Sequence, residues 1–482
     1  MSTSYPGTIQ TFSNPSGTST LDSPDHAGLH TNLADTLGAA QAVMGTTAGT
    51  SVLKNFADGD FSTRINSSGV LQQTVQGTIN LSTFGTPTVT GGTFASPSTT
   101  GTDSGTATLT NKTLTSPTLG GTPVLDADSA VPFYNDSMYR QAIINGNFDV
   151  WQRGTTSTNP TSNTYAVADR WKANYVNNGT LPTNIVHSRQ LITSGGLDGA
   201  FYHYRIAPDG AGSGFGVSDE YYIRQQIENG IRLLAGTGNN VTISFWAKSD
   251  IADKKIGVRI KQYYGSGGSP SSVETINGTN VTLTSSWQKI THTFALNSLS
   301  GKTFGTVNDD GILLDIGVMW GTTTDEQWGD TVAETFVGSG NIDIAQVQLC
   351  AGSVDLPFMP KSIAEEKLDC KRYFERIQPS TAYQMLASGF CTATTNGAFC
   401  LLYEEKRIAP TFTFTAGSTF AINHGSDAAT AVTSIAINAG RYGNKSANVH
   451  AAVAAGLTVG QGATLNAGAT ASSCYIDLSA EL

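Results

Sequence analysis

Apolar and polar residues alternate with a period of two in three segments between residues 241 and 320. These segments read VTISFWAKS, KIGVRIKQY and GILLDIGVMW. Because successive side chains of a β-strand point to opposite faces, the pattern predicts strands with one buried face. Several such strands separated by Gly, Asn and Ser predict an antiparallel sandwich of two sheets. The residues predicted to face the core are Val241, Ile243, Phe245, Ala247, Ile256, Val258, Ile260, Ile312, Leu314, Ile316, Val318 and Trp320.

A break in this alternation marks the segment NIDIAQVQL at 341–349. The apolar phase slips between Ile344 and Val347, and an extra residue in one strand produces such a slip. We therefore expect a β-bulge at Ala345 and Gln346. Residues 135–361 are assigned to the sandwich.

Residues 46–134 have a different composition, rich in Thr, Ser and Gly, as in TNKTLTSPTLGG at 110–121. They contain only eight charged residues. One interpretation is a disordered linker, because a single chain of this composition buries too little apolar surface to offset its ordering entropy. The other is a fibrous shaft, in which short β segments of several identical chains share a narrow core around one axis.

The N-terminal region predicts a short helix over residues 26–45, preceded by a separate segment at 1–25. Apolar and small residues follow spacings of four, three, four and three, which is the seam of a coiled coil. At under three heptads the helix is too short to be stable alone, so it is expected to belong to an oligomer. The seam residues are Leu29, Leu33, Thr36, Ala40 and Val43.

The last third of the sequence predicts a connecting helix at 362–376 and a small β domain at 377–482. Ser362 and Glu365 have the spacing of a capping box, and Ile363, Cys370 and Phe374 fall on one helical face. The segments FCLLYEEKRIAPTFTF and SSCYIDLSAEL are typical of strands. This domain is expected to form either a receptor-binding tip or a trimerisation unit.

Charge and cysteine content exclude several classes of function. The net charge is -10 without any Lys/Arg cluster, which argues against nucleic-acid binding. No segment approaches the roughly 20 apolar residues of a membrane span, and we expect no standard secretion signal. The five cysteines are irregularly spaced, which favours free thiols over a disulfide framework or zinc site and fits folding in a reducing cytoplasm.

Five motifs occur in a characteristic order: NGNFDVWQRGT at 145–155, YAVADRW at 165–171, GVSDEYYIRQQIENGIRLLAG at 216–236, VTISFWAKSD at 241–250 and IDIAQVQLCAGSVDLPFMP at 342–360. This arrangement resembles the jelly-roll, carbohydrate-binding-module-like domain of bacteriophage tail-fibre and other virion fibre proteins, over most of residues 141–376. The segments SPDHAGLHTNLADTLGA and TNKTLTSPTLGG are similar to the N-termini and shafts of such fibres. One departure is Cys350, where related sequences often carry an acidic residue, which argues against a metal there.

The resemblance implies a mainly β, elongated fibre. It would have a virion-attachment segment at 1–25, a short N-terminal coiled coil, a β-rich shaft at 46–134, an antiparallel β-sandwich of jelly-roll type and a small C-terminal β domain. It also implies a homotrimer that is assembled in the host bacterial cytoplasm and located in the virion. Its partners would be other phage virion proteins at the N-terminus and a host surface polysaccharide at the distal β domains.

Sugar recognition needs aromatic faces that stack on pyranose rings, with polar side chains around them for the hydroxyl groups. The loop WGTTTDEQWGD offers such a set because Trp328 has no obvious core in so polar a stretch. The alternative is that these aromatic residues belong to the sandwich core. The candidate carbohydrate-binding residues are Trp320, Asp325, Glu326, Trp328, Tyr263 and Tyr264.

A second group of residues near the start of the sandwich is interpreted as structural. Aromatic and Arg–Asp pairs in this position commonly fix the first strand and a long loop, and Trp287 is expected to pack inside in the same way. The group comprises Trp151, Arg153, Asp169, Arg170 and Trp171.

No enzymatic activity, cofactor or metal is predicted. Glycosidases need two carboxylates across a cleft, and neighbouring acidic residues along a strand point to opposite faces, so their adjacency is no evidence for such a pair. The GxSxG, HExxH and P-loop motifs are absent from the sequence. His26 and His30 could bind an ion on a threefold axis, although a helix start needs polar residues in any case.

The sequence therefore predicts a phage tail fibre that attaches to the host cell, with distal β domains that bind a surface glycan. The alternative is a structural head or collar decoration protein without receptor binding. A glycan depolymerase is the less favoured third possibility.

Overall fold

The computed structural model describes residues 51–54, 61–65, 71–75, 141–193, 195–425 and 428–482. The predicted attachment segment, the coiled-coil seam and the histidine pair lie outside the described residues. The chain divides into two compact units, Met1–Thr115 and Ser116–Leu482.

The first unit contains a three-stranded antiparallel sheet in the order β1-β2-β3. It falls at the start of the Thr/Ser/Gly-rich region that was predicted to be either a linker or a shaft. The strands are β1 Ser51–Lys54, β2 Phe61–Ile65 and β3 Leu71–Val75.

The described part of the second unit begins with a mainly β region that confirms the predicted antiparallel sandwich. A five-stranded sheet in the order β11-β10-β13-β8-β5 packs against a six-stranded sheet in the order β12-β9-β14-β7-β6-β4. Its elements are β4 Thr156–Thr158, β5 Lys172–Val176, β6 Ile185–Leu191, β7 Tyr202–Pro208, β8 Glu220–Glu228, α1 Gly230–Leu234, β9 Asn240–Ser249, β10 Lys255–Tyr263, β11 Glu274–Thr282, β12 Gln288–Ala295, β13 Gly311–Trp320 and β14 Ile342–Ala351.

The inward-facing residues predicted from the alternation are buried between the two sheets, with Trp320 as the exception. The pairing of β13 with β8 shifts between Gly317 and Met319, so that Val318 is an extra residue. Val318 and Met319 both enter the main core, and Trp320 turns to the opposite face of the sheet. The inward assignment of Trp320 was wrong because this bulge reverses the phase of the alternation.

The second predicted bulge, in β14, is confirmed. The pairing with β9 shifts between Ala345 and Gln348, and Gln346 has a φ of 51°. The loop before β4 packs directly on this bulge, since Val347 N–H donates to the Gly146 carbonyl at 2.9 Å. A Cβ at Gly146 would lie 2.0 Å from the Val347 oxygen, so only glycine allows this close approach.

A buried histidine connects the two sheets through hydrogen bonds. The Nδ1 of His187 lies 2.6 Å from the Tyr204 hydroxyl in the same sheet, and its Nε2 lies 2.7 Å from the Tyr221 hydroxyl in the facing sheet. All three side chains are almost completely buried. Burial lowers the pKa of His187 to about 3, so the imidazole is neutral and both hydroxyl groups are satisfied.

After the sandwich, the described residues form one α-helix, a three-stranded sheet in the order β15-β23-β18 and a closed barrel in the order β16-β17-β21-β20-β19-β22. The strands predicted in FCLLYEEKRIAPTFTF and at the chain's last residues are confirmed. The elements are α2 Ile363–Lys371, β15 Phe374–Ile377, β16 Met385–Ala393, β17 Asn396–Leu402, β18 Thr411–Phe414, β19 Phe420–His424, β20 Ala428–Tyr442, β21 Ser446–Val453, β22 Gly462–Ala467 and β23 Ile476–Ser479.

The helix α2 begins with the predicted capping box, in which Ser362 and Glu365 exchange side-chain hydrogen bonds with backbone N–H groups. Two details of the prediction were wrong. Ile363 is exposed, because only the face that carries Glu366 and Cys370 packs against protein. Phe374 belongs to β15, since the helix ends at Lys371.

The residues of the WQRG and ADRW motifs join the sandwich to the C-terminal strands. Trp151 and Trp171 are core residues, as their structural interpretation predicted. Arg170 is fully buried and its Nη1 lies 2.5 Å from a Glu481 carboxylate oxygen. Arg153 Nη2 donates to the other Glu481 oxygen at 3.1 Å. These ion pairs fix the end of the chain against the sandwich.

The first prediction concerns the substitution His187→Phe. Between about pH 6.5 and pH 3 the unfolded wild-type chain binds a proton that the folded chain does not, so His187 makes stability fall as the pH is lowered, by up to about 1.4 kcal/mol per pH unit. The variant should lack this part of the pH dependence. It should also lose roughly 2–4 kcal/mol at neutral pH, because two buried hydroxyls lose their partner.

Urea denaturation of the wild type and the variant at several pH values measures both effects. His450→Phe, at an exposed position of β21, is the matched control. Identical pH profiles of wild type and His187→Phe would contradict the buried neutral histidine.

Candidate functional site

The six tryptophans of the chain all lie among the described residues and divide into two groups by exposure. Trp246 and Trp287 are half-buried. Both belong to the outer surface of the six-stranded sheet, which points away from the core. The buried tryptophans are Trp151, Trp171, Trp320 and Trp328.

Strand pairing explains why Trp246 and Trp287 share one face. In β9 the flanking Phe245 and Ala247 point into the core, so Trp246 points outward. Lys289 of β12 pairs with Trp246, and Trp287 lies two residues earlier on the same side. The expectation that Trp287 packs inside was wrong, because the buried residues of this strand are Ile290 and Phe294, which have the opposite parity.

A buried carboxylate lies beside these rings, among the side chains of Arg205, His203 and Lys248. Asp343 accepts hydrogen bonds from Arg205 Nε at 2.7 Å and Nη2 at 2.8 Å. His203 Nε2 lies 3.3 Å from the same carboxylate, and Lys248 Nζ lies 3.7 Å away. Burial alone would raise the pKa of Asp343, but the bonds from Arg205 and His203 outweigh it and lower the pKa to about 2. The carboxylate therefore stays ionised at neutral pH.

Two contacts orient the Trp287 ring on the sheet. Its indole meets the His203 imidazole edge to face, with ring centroids 5.4 Å apart and an interplanar angle of 81°. Lys248 Nζ lies 4.9 Å from the ring centroid, within the range of a cation–π contact. The contacts of Lys248 and His203 with Asp343 therefore also position the aromatic ring.

We call this group the outer aromatic face. It combines two partly exposed indole rings with fixed hydrogen-bonding groups, which is the arrangement that binds the apolar C–H face and the hydroxyl edge of a sugar. It consists of Trp246, Trp287, His203, Arg205, Lys248 and Asp343.

The sequence-predicted tryptophans lie elsewhere, in a small buried cluster with Tyr222. Trp320 and Trp328 stack with ring centroids 5.7 Å apart, and Trp328 Nε1 donates to Glu220 at 3.0 Å. Trp328 therefore does have a core, contrary to the sequence argument. Gly317 provides the space, because a Cβ there would lie 2.7 Å from the Trp328 ring.

The other predicted ligand residues are not brought together. Asp325 is buried in a 3₁₀ turn and Glu326 is exposed beside it. Tyr264 is buried and its hydroxyl donates to Glu274 at 2.6 Å. Tyr263 is half-buried at the far end of β10 and donates to Asp309 at 3.2 Å. A carbohydrate contact by these residues stays a prediction.

Two buried carboxylates next to the tryptophan cluster are held in ion pairs. Arg259 binds Glu220 at 2.5 Å and Asp315 at 3.0 Å, and Arg224 binds Asp315 at 2.5 Å. Burial would raise the pKa of Asp315, but Arg224 and Arg259 lower it. A glycosidase acid needs the opposite shift, so Asp315 has the environment of a structural carboxylate.

Among the described residues, no group of three or more His, Cys, Asp or Glu side chains is arranged to hold a metal ion. None of the helices in the described ranges is long and apolar enough to span a membrane.

Comparisons with known proteins give distant structural likenesses. No protein-family model and no curated protein sequence matches the chain significantly. Similar solved structures include a sugar-binding protein from Bacteroides thetaiotaomicron, with 14% identity over 44% of this chain and 100% of that chain and a TM-score of 0.26.

Two further structures are carbohydrate-binding modules. The N-terminal cellulose-binding domain of Cellulomonas fimi β-1,4-glucanase C has 14% identity, covers 43% of this chain and 100% of its own and has a TM-score of 0.23. The family 11 module of Clostridium thermocellum, in complex with a mixed-linked tetrasaccharide, has 12% identity, 42% and 98% coverage and a TM-score of 0.21. At these TM-scores the likenesses assign neither a ligand nor a function.

The second prediction concerns tryptophan accessibility. A double variant, Trp246→Phe with Trp287→Phe, should lose the fraction of tryptophan fluorescence that iodide quenches, because the other four indoles are buried. Trp328→Phe, which removes a buried indole, should retain the fraction of fluorescence that iodide quenches. Iodide titrations of the three proteins make the comparison, and persistent quenching in the double variant would contradict the assignment of the exposed rings.

Proposed function

We propose that the chain is a non-catalytic, glycan-binding subunit of a bacteriophage fibre that attaches the virion to the host cell surface. The observation that carries this proposal is the outer aromatic face. Trp246 and Trp287 offer partly exposed rings beside a carboxylate that is fixed by Arg205 and His203. The sequence resemblance of the motifs in residues 141–376 to virion fibre proteins supports the fibre context.

The composition of this face favours a sugar over a protein partner. Stacking on an indole uses the C–H groups of a pyranose, and the charged side chains around it offer donors and acceptors to hydroxyl groups. The residues lie on neighbouring strands, so their spacing is set by the sheet and little ordering is needed on binding. A single shallow site of this kind gives modest affinity.

Oligomerisation would convert modest affinity into firm attachment. In the proposed homotrimer three outer aromatic faces act on one cell surface, and the effective concentration of the second and third sites raises the avidity by orders of magnitude. The N-terminal segment would provide the attachment to other virion proteins. The fibre would be located in the virion after assembly in the host cytoplasm.

The state of two buried carboxylates fits a binding role. Asp343 and Asp315 both have a pKa below the ordinary value, because they are paired with guanidinium groups. Such groups remain ionised and serve as acceptors, and neither is available as a proton donor for glycoside hydrolysis.

The third prediction tests the outer aromatic face. Trp246→Ala and Trp287→Ala should each weaken binding of the purified full-length protein to host envelope polysaccharide by about tenfold, which corresponds to about 1.4 kcal/mol for one lost stacking contact. Surface plasmon resonance on immobilised polysaccharide measures this effect. Leu402→Ala, at an exposed apolar position of β17, is the control and should bind like the wild type.

Three outcomes would contradict the proposal in different ways. Unchanged binding in both tryptophan variants would place the glycan site elsewhere. A structural decoration role would be favoured if the wild type bound no surface polysaccharide and virus particles that lack the protein adsorbed normally. Release of oligosaccharide from the polysaccharide would favour a depolymerase.

A further inference from the structure

A polar cleft of about 520 Å³ lies where the sandwich meets the C-terminal strands. Its walls come from both parts of the second unit, with Thr156 and Ser157 of β4 on one side and Arg376 of β15 and Asp477 of β23 on the other. This volume is within the range of sites for small molecules, and none of the residues of the outer aromatic face lines it.

Two arginines of the cleft are held against aromatic rings. The guanidinium carbon of Arg153 lies 3.4 Å from the centroid of the Phe374 ring, and that of Arg376 lies 3.9 Å from the centroid of the Tyr475 ring. Stacking fixes the plane of each guanidinium, so its N–H groups point outward from the ring edge in a defined direction. The two cations are therefore positioned before any ligand arrives.

The guanidinium group of Arg376 has a donor that its ion pair does not use. Arg376 binds Asp477 with Nε and Nη2, each at 2.7 Å, and Nη1 takes no part in this pair. Arg153 donates to Glu481 through Nη2, whereas its Nη1 is buried without a hydrogen-bond partner and lies 3.9 Å from Asp169. The Nη1 of Arg376 can therefore donate to an anionic acceptor in the cleft, whereas the Nη1 of Arg153 faces Asp169.

The other residues around the cleft carry mainly hydroxyl groups. Thr156, Ser157, Thr164 and Ser479 contribute alcohol side chains, and the apolar part of the lining comes from Ala166 and the ring of Tyr165, whose hydroxyl donates to the Leu482 carbonyl at 2.9 Å. Such a lining suits a ligand with several hydroxyl groups and gives an alkyl chain or an apolar peptide little to contact. The lining contains two arginines and one aspartate, and Arg153 is also paired with Glu481 and Asp169.

We propose that this cleft is a second saccharide site, specific for a sugar acid. The carboxylate of a uronic or sialic acid would accept a hydrogen bond from Nη1 of Arg376, and the ring hydroxyls would meet the Ser and Thr side chains. The site is independent of the outer aromatic face. The protein would then contact an acidic polysaccharide at two places, by stacking at the outer aromatic face and by ionic hydrogen bonding in the cleft.

The experiment is saturation-transfer NMR on the full-length protein. The probes are D-glucuronate, D-galacturonate and N-acetylneuraminate at millimolar concentration, and D-glucose and D-galactose are the neutral controls. At least one acid should bind about tenfold more tightly than the neutral sugars, and high salt should weaken its binding.

Two variants locate the site. Thr156→Trp introduces a large ring that fills the cleft and should abolish the saturation-transfer signal of the acid. The protein should remain folded, because Thr156 is an exposed position of the edge strand β4. Arg376→Gln should reduce acid binding by about tenfold or more, since it removes a charged donor. Thr282→Trp, at an exposed position of the edge strand β11, is the matched control and should bind the acid like the wild type.

The proposal is overturned if none of the three acids binds, if acids and neutral sugars bind equally, or if Thr156→Trp and Arg376→Gln leave acid binding unchanged. These outcomes are separate from those for the outer aromatic face, because the tryptophan variants leave the cleft intact.

Discussion

The two-residue period of side chains along a strand is the constraint on which the rest of the structure depends. Each strand of the sandwich has one set of side chains in the core, and its register decides which set that is. A single extra residue reverses the assignment. At Val318 the reversal moves Trp320 out of the main core and into contact with Trp328. In β9 the period continues without a break, and it leaves Trp246 on the surface.

Paired charges fix the surfaces that the sheets create. Asp343 holds Arg205, His203 and Lys248 on the six-stranded sheet, while Asp315 holds Arg224 and Arg259 on the five-stranded sheet. Burying a carboxylate together with its partners costs desolvation energy. Each pair therefore serves mainly to position its side chains and adds little to the stability of the fold. In the outer aromatic face, His203 and Lys248 contact the Trp287 ring, so their positions also determine the orientation of this ring.

Sequence reasoning predicted the sandwich, the bulge in β14 and the capping box of α2, because each leaves a mark in the order of apolar and polar residues. The bulge in β14 was visible because Ala345 and Gln346 interrupt the alternation. The bulge at Val318 was hidden because the residues on both sides of it are apolar, so no polar residue reveals the change of phase. The buried position of Trp328 depends on the space above Gly317, which is a tertiary contact without a sequence signal.

Part of the outer aromatic face could be predicted from the sequence. Alternation placed Trp246 on the polar side of its strand, and the same rule applied to SSWQKITHTF places Trp287 with Lys289, opposite Ile290 and Phe294. Its polar partners come from β7, β9 and β14, whose order in the sheet follows from long-range pairing. The grouping of Asp343 with Arg205 and His203 therefore required the structure.

The most direct test of glycan binding at this face is a titration of the protein, labelled with ¹⁵N at its tryptophan indoles, with oligosaccharides from bacterial surface polysaccharides. The structure predicts that a ligand shifts the indole resonances of Trp246 and Trp287 and leaves those of the four buried tryptophans in place. Shifts confined to Trp320 and Trp328, or binding without a shift of any indole resonance, would contradict a sugar site on the outer aromatic face.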